Sequence, residues 1–343
     1  MEIPDLKHKL CNFYKETFPE YQNTEITQLT DITSGWENQL ISFDLSYKIQ
    51  GKQIKKELIA RIYPATDAKT KSAKEFTLVK KLHDLNYPVP RTYLLENSGN
   101  IIGNPFVILE RINGPTMGEV IENTQEKKRN KLTNQFIDLY LQLHDLNWRE
   151  FDLITLPLES PSFHSYIATL LNEYITSVIK RGLTDFHEVF DYLKNQMERL
   201  DISSLSLVHL DYHPNNILMK KNTYPVVIDW GTANILDFRF DLAWTVLLAN
   251  AHYSQTLGQL VFESYQQKLG RTIEDFEFFY MFAATRRLID YVISMTQGAE
   301  TSGMRPETSM MLKQYNQAYH FVYDILRNHL DVRIGIIEEF LSR

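Results

Sequence analysis

Two short segments of the chain carry oxygen-rich side chains at a spacing suited to metal-assisted chemistry. The first is HLDYHPNN at 209–216, in which Asp211 precedes Asn216 by five positions. The second is VVIDWG at 226–231, an apolar run followed by Asp229. Asp229 follows Asn216 by thirteen positions, enough for one hairpin to bring both side chains to one point. Phosphoryl transfer needs such a set: a carboxylate that orients a hydroxyl and accepts its proton, and two oxygen ligands for Mg²⁺.

In that chemistry Asp211 is the base, and Asn216 and Asp229 are the metal ligands. Taken one at a time, the same residues fit a hydrogen-bonded loop and an ordinary turn at the end of a strand. Their order, their spacing and the flanking apolar strands together favour the site. A second interpretation makes His209, Asp211 and His213 a metal triplet. Metallohydrolases normally add further ligands at tight spacing, and none follows here in the sequence.

The two segments resemble those of a known family. Residues 209–216 and the D-W-G that starts at Asp229 resemble the H-x-D-x-x-x-x-N and D-F-G motifs of protein kinases. HLDYHPNN is also similar to H-G-D-x-H-P-x-N of the aminoglycoside phosphotransferase and choline kinase-like family, with Leu210 replacing the usual small residue. The later FDLAW at 240–244 fits as well, because that family commonly follows its metal aspartate with D-L-A.

The resemblance covers roughly residues 30–288. It implies an α+β, bilobal protein-kinase-like fold with a small antiparallel-sheet N-lobe and a larger, mainly helical C-lobe. It also implies that ATP or GTP binds in the cleft as phosphate donor, with Mg²⁺ as cofactor.

The same resemblance places a nucleotide site in the first third of the chain. Arg61 stands where kinases carry the strand lysine that contacts the α- and β-phosphates, and Glu75 is its expected partner on the following helix. The loop between two strand patterns is similar to the family's S-G-x-x-N, which assigns Ser34, Gly35 and Asn38 to the phosphates. A plain hairpin turn also explains this loop, because it has only one glycine.

Two further assignments rest on the resemblance. FVILERING at 106–114 looks like the strand and hinge that frame the base, so the Glu110 carbonyl and the Ile112 amide are expected to bind it. Recognition by backbone groups fits both ATP and GTP. His213 occupies the position where kinases often have a lysine near the transferred phosphate. It could assist the reaction there or brace the loop.

Hydrophobic periodicity predicts the elements that must position these residues. The first third is expected to contain helices at 4–18 and 69–85 and strands at 26–32, 39–49, 56–63, 91–95 and 105–110. Helices are expected later at 125–147, 162–180, 186–200, 240–251, 255–269, 272–296 and 307–328, with two short strands at 217–219 and 226–228. Asn113-Gly114-Pro115 is the clearest break. We therefore expect a nucleotide-binding lobe at 1–112, a hinge at about 110–114, and a helical catalytic and substrate-binding lobe at 113–343.

Composition excludes several classes of function. Lys and Arg number 36 against 43 Asp and Glu, a net charge of −7 that disfavours bulk nucleic-acid binding. Cys11 is the only cysteine, so neither an intrachain disulfide nor a cysteine-based zinc site can form. No apolar run reaches the ~20 residues that span a membrane, and MEIPDLKHKL at 1–10 lacks the apolar core of a secretory signal. These features predict a cytoplasmic protein without nucleic-acid or membrane partners.

The predicted function is that of a kinase acting on a hydroxyl of a small, possibly cationic molecule, such as an aminoglycoside, choline or ethanolamine. Acidic residues of the predicted helical lobe could hold an amine, among them Glu263, Asp275, Glu277 and Asp290. One alternative is a non-catalytic nucleotide-binding regulator, which would not need Asp211, Asn216 and Asp229 together. Another is a protein kinase, but within twelve residues of Asp229 the chain reaches Asp241 and a helix, which leaves no room for an activation segment.

Overall fold

The computed structural model describes residues 3–33, 37–64, 67–153, 162–302, 305 and 308–342. The strands are β1 (Gln22–Asp31), β2 (Gln39–Ile49), β3 (Lys52–Ile62), β4 (Thr92–Glu96), β5 (Phe106–Glu110), β6 (Ser206–Val208), β7 (Ile217–Lys220), β8 (Tyr224–Val227) and β9 (Asn234–Leu236). The helices are α1 (Ile3–Thr17), α2 (Ala68–Asp84), α3 (Met117–Glu122), α4 (Glu126–Asp145), α5 (Phe163–Lys180), α6 (His187–Met197), α7 (Phe238–His252), α8 (Gln255–Leu269), α9 (Phe276–Thr296), α10 (Thr308–Leu312), α11 (Asn316–Leu330) and α12 (Gly335–Leu341).

Contacts within the chain divide it into two units. Unit 1 comprises the described residues among 1–116, 217–231 and 303–305, and unit 2 those among 117–216, 232–302 and 306–343. The hairpin of β7 and β8 therefore groups with unit 1, although it lies far along the chain. The predicted division at 112 into a nucleotide-binding and a substrate-binding lobe concerns function, and it stays a prediction.

Unit 1 is built on an antiparallel five-stranded sheet in the order β1-β2-β3-β5-β4. Alternating apolar residues of the central strands form one buried face, as the period-2 pattern predicts; they include Phe43, Leu45, Leu58, Ala60 and Ile62. Helix α1 packs Leu6, Leu10 and Tyr14 into the same core. Arg61 belongs to the other face of β3, where helix α2 presents Glu75 from a buried stripe that also contains Ser72 and Val79.

The Asn-Gly-Pro break is a packing site as well as a boundary. A Cβ atom at Gly114 would lie only 2.1 Å from the carbonyl oxygen of Met219, so any larger residue there would collide with the β7 backbone. Met219 N–H donates to the Pro115 carbonyl at 2.8 Å, and Thr116 forms an antiparallel bridge with Leu218. Close backbone approach explains why glycine is needed at this position.

Unit 2 is mainly helical, with α7 packed on both α8 and α9. One feature that periodicity did not predict is the two-stranded ladder of β6 and β9, in which Leu207 pairs with Ile235. Strands of three residues are too short to display an alternating pattern. The stretch expected as one helix at 307–328 is helical, but a 3₁₀ turn at Lys313–Tyr315 divides it into α10 and α11. Across the described residues no helix is both long and apolar enough to cross a membrane.

Candidate active site

Arg61 is the centre of an ionic cluster in unit 1. Its Nη1 atom lies 3.2 Å from Glu75 Oε1, and its Nη2 atom donates to Asp229 Oδ1 at 2.6 Å. Glu75 also accepts a hydrogen bond from the Tyr63 hydroxyl at 2.8 Å. Arg61 and Glu75 are both buried, whereas 44% of the Asp229 side chain is exposed. The predicted ion pair between Arg61 and Glu75 is therefore present, and its partners fix the direction of the guanidinium.

Glu37 completes this Arg61 cluster, and the sequence analysis did not identify it. A Cβ atom at Gly231 would lie 3.6 Å from Glu37 Oε2 and 3.7 Å from Arg61 Nη2, which places both groups beside the residue that ends the D-W-G segment. Burial and the nearby Asp229 carboxylate raise the pKa of Glu37 to about 7, although Arg61 and Lys71 act in the opposite direction. A glutamate beside a tryptophan in a loop gives no sequence signal for such a role.

Only part of the predicted phosphate loop can be located. Ser34 and Gly35 lie outside the described residues. Asn38, with its amide oxygen facing Arg61, accepts hydrogen bonds from Nη2 at 2.8 Å and from Nε at 3.0 Å. Asn38 thus holds the guanidinium, which positions it next to the group that the sequence analysis assigned to the phosphates.

The predicted hinge lies at the end of β5. Arg111 N–H donates to the Glu57 carbonyl of β3, whereas Glu110 N–H donates to the Arg91 carbonyl on the opposite side. Because main-chain groups of successive strand residues alternate in direction, the Glu110 carbonyl points away from β3. The Glu110 carboxylate forms an ion pair with Lys220, and Ile112 is buried. These bonds define the direction of the Glu110 main-chain groups, and their binding of a nucleotide base stays a prediction.

The second group of predicted residues lies in unit 2, in the loop at 209–216, here called the Asp211 loop. Asn216 Nδ2 donates to the Asp211 carbonyl at 2.9 Å and to Asp211 Oδ2 at 3.0 Å. Trp244 Nε1 donates to the other carboxylate oxygen, Oδ1, at 3.3 Å. His213 Nε2 lies 3.6 Å from Asp211 Oδ2. Unit 2 therefore brings together three predicted residues, and it adds Trp244, which the sequence analysis quoted in FDLAW without a role.

These neighbours decide the charge of Asp211. Burial by itself raises the pKa of the carboxyl, but His213, His209 and the Trp244 indole N–H together outweigh it. The pKa of Asp211 therefore lies well below its usual range. The side chain remains 34% exposed, so it is an ionised carboxylate that a solute can reach.

Asp241 holds the Asp211 loop in place. It is completely buried, and its two carboxylate oxygens accept the main-chain N–H groups of His209 and Leu210, each at 2.7 Å. His144 Nε2 lies 3.2 Å from Asp241 Oδ2. Asp241 thus braces the loop, while Asp237 caps α7 by accepting a hydrogen bond from the Arg239 N–H. His144, more than sixty residues before the motif, was not identified.

Both segments contain a non-glycine residue in the left-handed region. Leu210 has φ 61° and Asp229 has φ 67°. A side chain there costs about 1–2 kcal/mol, which gives a physical reason for the small residue that the family usually has before its loop aspartate. In this chain the two hydrogen bonds that Asp241 accepts from the main chain of His209 and Leu210 offset that strain at Leu210.

The donor chemistry of the two segments fits Mg²⁺, while the alternative metal triplet has no structural support. Because Asn216 Nδ2 is engaged by Asp211, its Oδ1 faces the other way, and Asp229 offers a half-exposed carboxylate. Oxygen donors of this kind suit Mg²⁺, which takes only one or two protein ligands beside substrate phosphates. No group of three or more His, Cys, Asp or Glu side chains is placed to hold a metal within the described part of the chain, which includes His209, Asp211 and His213.

Comparison with known proteins gives the family. Residues 29–282 match the model of the phosphotransferase enzyme family, APH, and the chain belongs to that family. A curated relative, acyl-CoA dehydrogenase family member 11 of Pongo abelii, is 23% identical over 173 residues, which are 50% of this chain and 22% of that protein. The chain thus spans about a fifth of the length of this relative.

Solved structures agree on the fold. The GDP and kanamycin complex of APH(2″)-IIIa has a TM-score of 0.58 and 16% identity, and the alignment covers 92% of this chain and 98% of that one. A thermostable mutant of aminoglycoside phosphotransferase APH(4)-Ia, in a ternary complex with ADP and hygromycin B, has a TM-score of 0.56 and 12% identity with the same coverage. At these identities the likeness shows the fold, which is the α+β, protein-kinase-like fold expected from the sequence.

Proposed function

We propose that this member of the phosphotransferase family transfers the γ-phosphate of ATP or GTP to a hydroxyl group of a small molecule. The observation that carries the proposal is Asp211, an ionised and accessible carboxylate held from both sides by Asn216 and Trp244. A carboxylate fixed in this way can orient a hydroxyl for attack, which is the largest demand that phosphoryl transfer makes on a protein group.

The proposed reaction is a direct transfer. The substrate hydroxyl donates a hydrogen bond to Asp211, its oxygen forms a bond to the γ-phosphorus, and the bond from that phosphorus to the β,γ-bridging oxygen breaks. The hydroxyl proton passes to Asp211, and the nucleoside diphosphate leaves. Because the pKa of Asp211 is low, it is a weak base that accepts the proton late, as a loose transition state allows. Its main contribution is then orientation.

The remaining roles follow the sequence assignments. Arg61, held by Glu75 and Asn38, would contact the nucleotide phosphates together with Ser34 and Gly35. The Glu110 carbonyl and the Ile112 amide would bind the base, and His213 would assist beside Asp211. Asn216 directly precedes β7 and Asp229 follows β8 by two residues; these two would hold Mg²⁺, which neutralises phosphate charge when bound.

The acceptor belongs to the same proposal. Kanamycin and hygromycin B are named with the related structures above, and amino sugars and amino alcohols are therefore candidate acceptors here.

The test is release of nucleoside diphosphate in the presence of Mg²⁺, with ATP or GTP, across hydroxyl compounds of different charge. Asp211→Asn should lower turnover about 10²–10⁴-fold, while the nucleotide dissociation constant stays within about twofold. Asp152→Asn, which removes an exposed carboxylate of unit 2, is the matched control and should leave turnover unchanged. Full activity in Asp211→Asn would contradict the proposal. Nucleotide binding without turnover on any acceptor would instead favour a nucleotide-binding regulator.

A further inference from the structure

A pocket of about 260 Å³ lies within unit 2, beside the Asp211 loop. Its lining includes Tyr174, Leu210, Leu236, Trp244 and Arg286. The volume is slightly below the ~300–1,000 Å³ of sites for drug-sized ligands, so a compact ligand fits it best. Most of these side chains are aliphatic or aromatic, which favours a ligand with an apolar body.

The pocket borders the proposed base. Trp244 lines it and donates its indole N–H to Asp211 Oδ1 at 3.3 Å. Leu210, which also lines it, directly precedes Asp211. Through Trp244 and Leu210 the pocket borders the segment that contains Asp211, although Asp211 itself does not line it.

The charge of the lining is positive. Among the twelve described residues around the pocket, Arg286 carries a formal charge and none is acidic. The Arg286 guanidinium lies over the Trp244 ring, 4.2 Å from its centre. The nearest ion-pair partner of Arg286 is Asp290, whose Oδ2 is 3.8 Å from Nε, beyond hydrogen-bond distance. Burial raises the pKa of Asp290, whereas Arg286, Arg287 and Arg181 lower it.

One further polar group of the pocket lining lacks a hydrogen-bond partner among the described residues. The hydroxyl oxygen of Tyr174 is buried and makes no hydrogen bond with any described residue. An unsatisfied buried hydroxyl is unfavourable, and a ligand oxygen would supply the missing acceptor. Tyr174 and Arg286 thus both carry donor groups and line the same pocket.

We propose that this pocket binds the acceptor, and that the acceptor is a hydroxylated organic acid with an apolar chain, its carboxylate at Arg286 and Tyr174 and its hydroxyl at Asp211. The inference rests on the proposed kinase function and narrows its substrate. It replaces the cationic acceptor expected from the sequence, because the candidate acids Glu263, Asp275, Glu277 and Asp290 do not line the pocket. A polycationic amino sugar would meet an arginine and an apolar wall there.

Three acceptors of equal chain length test the charge preference: a medium-chain hydroxycarboxylic acid, the corresponding diol and the corresponding amino alcohol. Binding is measured by calorimetry without nucleotide, so that no turnover occurs, and diphosphate release is measured separately with Mg²⁺ and ATP or GTP. The acid should bind at least tenfold more tightly than the amino alcohol. Equal or tighter binding of the amino alcohol would overturn the inference.

Variants of Arg286 and Tyr174 test where the carboxylate of the bound acid lies. Arg286→Gln should weaken binding of the acid about 10–100-fold and leave the diol unchanged, and Arg286→Lys should restore part of the loss. Arg287→Gln is the matched control, because this neighbour faces His252 and Tyr319 and does not line the pocket. Tyr174→Phe should weaken the acid about 3–10-fold. A drop in kcat for the diol as well as the acid in Arg286→Gln would overturn the inference, because it would mean that the arginine acts on the transferred phosphate.

The two measurements separate the two proposals. Acid binding that depends on Arg286 without any diphosphate release would support the pocket assignment and contradict the kinase function. Turnover of amino alcohols or amino sugars with no binding of the acid would support the kinase function and overturn the inference. Unchanged thermal unfolding temperatures of the variants exclude misfolding as the cause of lost binding.

Discussion

The Arg61 cluster of unit 1 and the Asp211 loop of unit 2 hold their carboxylates by opposite means. In unit 1, Glu75 and Asp229 bind one guanidinium, and Glu37 lies beside it. In unit 2, the buried Asp241 binds two main-chain N–H groups, and it is the loop that is held. Three carboxyl groups lie around one arginine in the first case, and burial together with the charges of Asp229 and Glu75 raises the pKa of Glu37.

This difference separates a rigid part of the site from an adjustable one. Main-chain groups bonded to a buried carboxylate have no alternative partner, so their loss costs the full desolvation of each group. The half-exposed Asp229 can exchange its bond to Arg61 for water or a metal at little cost. The Asp211 loop is thus held by hydrogen bonds that are costly to lose, whereas the bond between Asp229 and Arg61 can be exchanged.

Removal of the two aspartates should show the contrast most strongly. Asp241→Ala leaves two buried N–H groups without an acceptor, and we expect it to lower the free energy of unfolding by about 3–5 kcal/mol. Asp229→Ala, the matched variant, should cost about 1 kcal/mol or less, because Arg61 keeps Glu75 and water reaches the site. Chemical unfolding of both variants measures the difference. Equal losses would mean that the two carboxylates are structurally equivalent, contrary to the comparison.

Glu37 should make stability depend on pH. Its pKa of about 7 in the folded chain is above the ordinary value of 4.5, so the folded state keeps a proton that the unfolded state has lost. The contribution of this proton to the free energy of unfolding is full below pH 4.5, and it disappears as the pH rises through about 7. The free energy of unfolding of Glu37→Gln, measured relative to that of the native chain, should therefore rise by about 2 kcal/mol from pH 5 to pH 8.

Thermal unfolding at the two pH values measures this effect, with Glu25→Gln as the control. Glu25 is an exposed glutamate on β1, and its replacement removes one charge from the same unit. A difference between Glu37→Gln and the native chain that does not change with pH would show that Glu37 ionises normally.

The smallest effect concerns the backbone of Leu210. With φ at 61°, alanine at this position keeps the strain and glycine removes it, so Leu210→Gly should be more stable than Leu210→Ala by about 1 kcal/mol. Leu236 lines the same pocket from β9. At that ordinary strand position, glycine should be less stable than alanine by about 0.5–1 kcal/mol. Urea midpoints of the four variants give the two differences, and the same sign at both positions would rule out strain at Leu210.

Much of the fold could be predicted because its signals are local. The alternation in β2 and β3 and the helical stripe of α2 identified the elements that carry Arg61 and Glu75. The β6–β9 ladder could not be predicted, since its three-residue strands show no period and are paired by residues almost thirty positions apart. The break between α10 and α11 was also missed.

The candidate site divides in the same way. Asp211, Asn216 and Asp229 were identified because phosphoryl transfer requires these residue types in a fixed order. Glu37 and His144 were not, because nothing in their own neighbourhood of the sequence shows which charged group they approach. The pocket was missed for the same reason, and the acids proposed for a cationic substrate were chosen as acidic residues of the helical lobe.

The sequence by itself determined the family, the fold class and the order of the chemical groups, since these depend on residue types, spacing and periodicity along the chain. Only the tertiary structure decided the low pKa of Asp211, the raised pKa of Glu37 and the positive charge of the pocket beside Trp244. Burial and Coulomb interactions act through space, and they depend on side chains that segments far apart in the sequence bring within a few ångströms of one another.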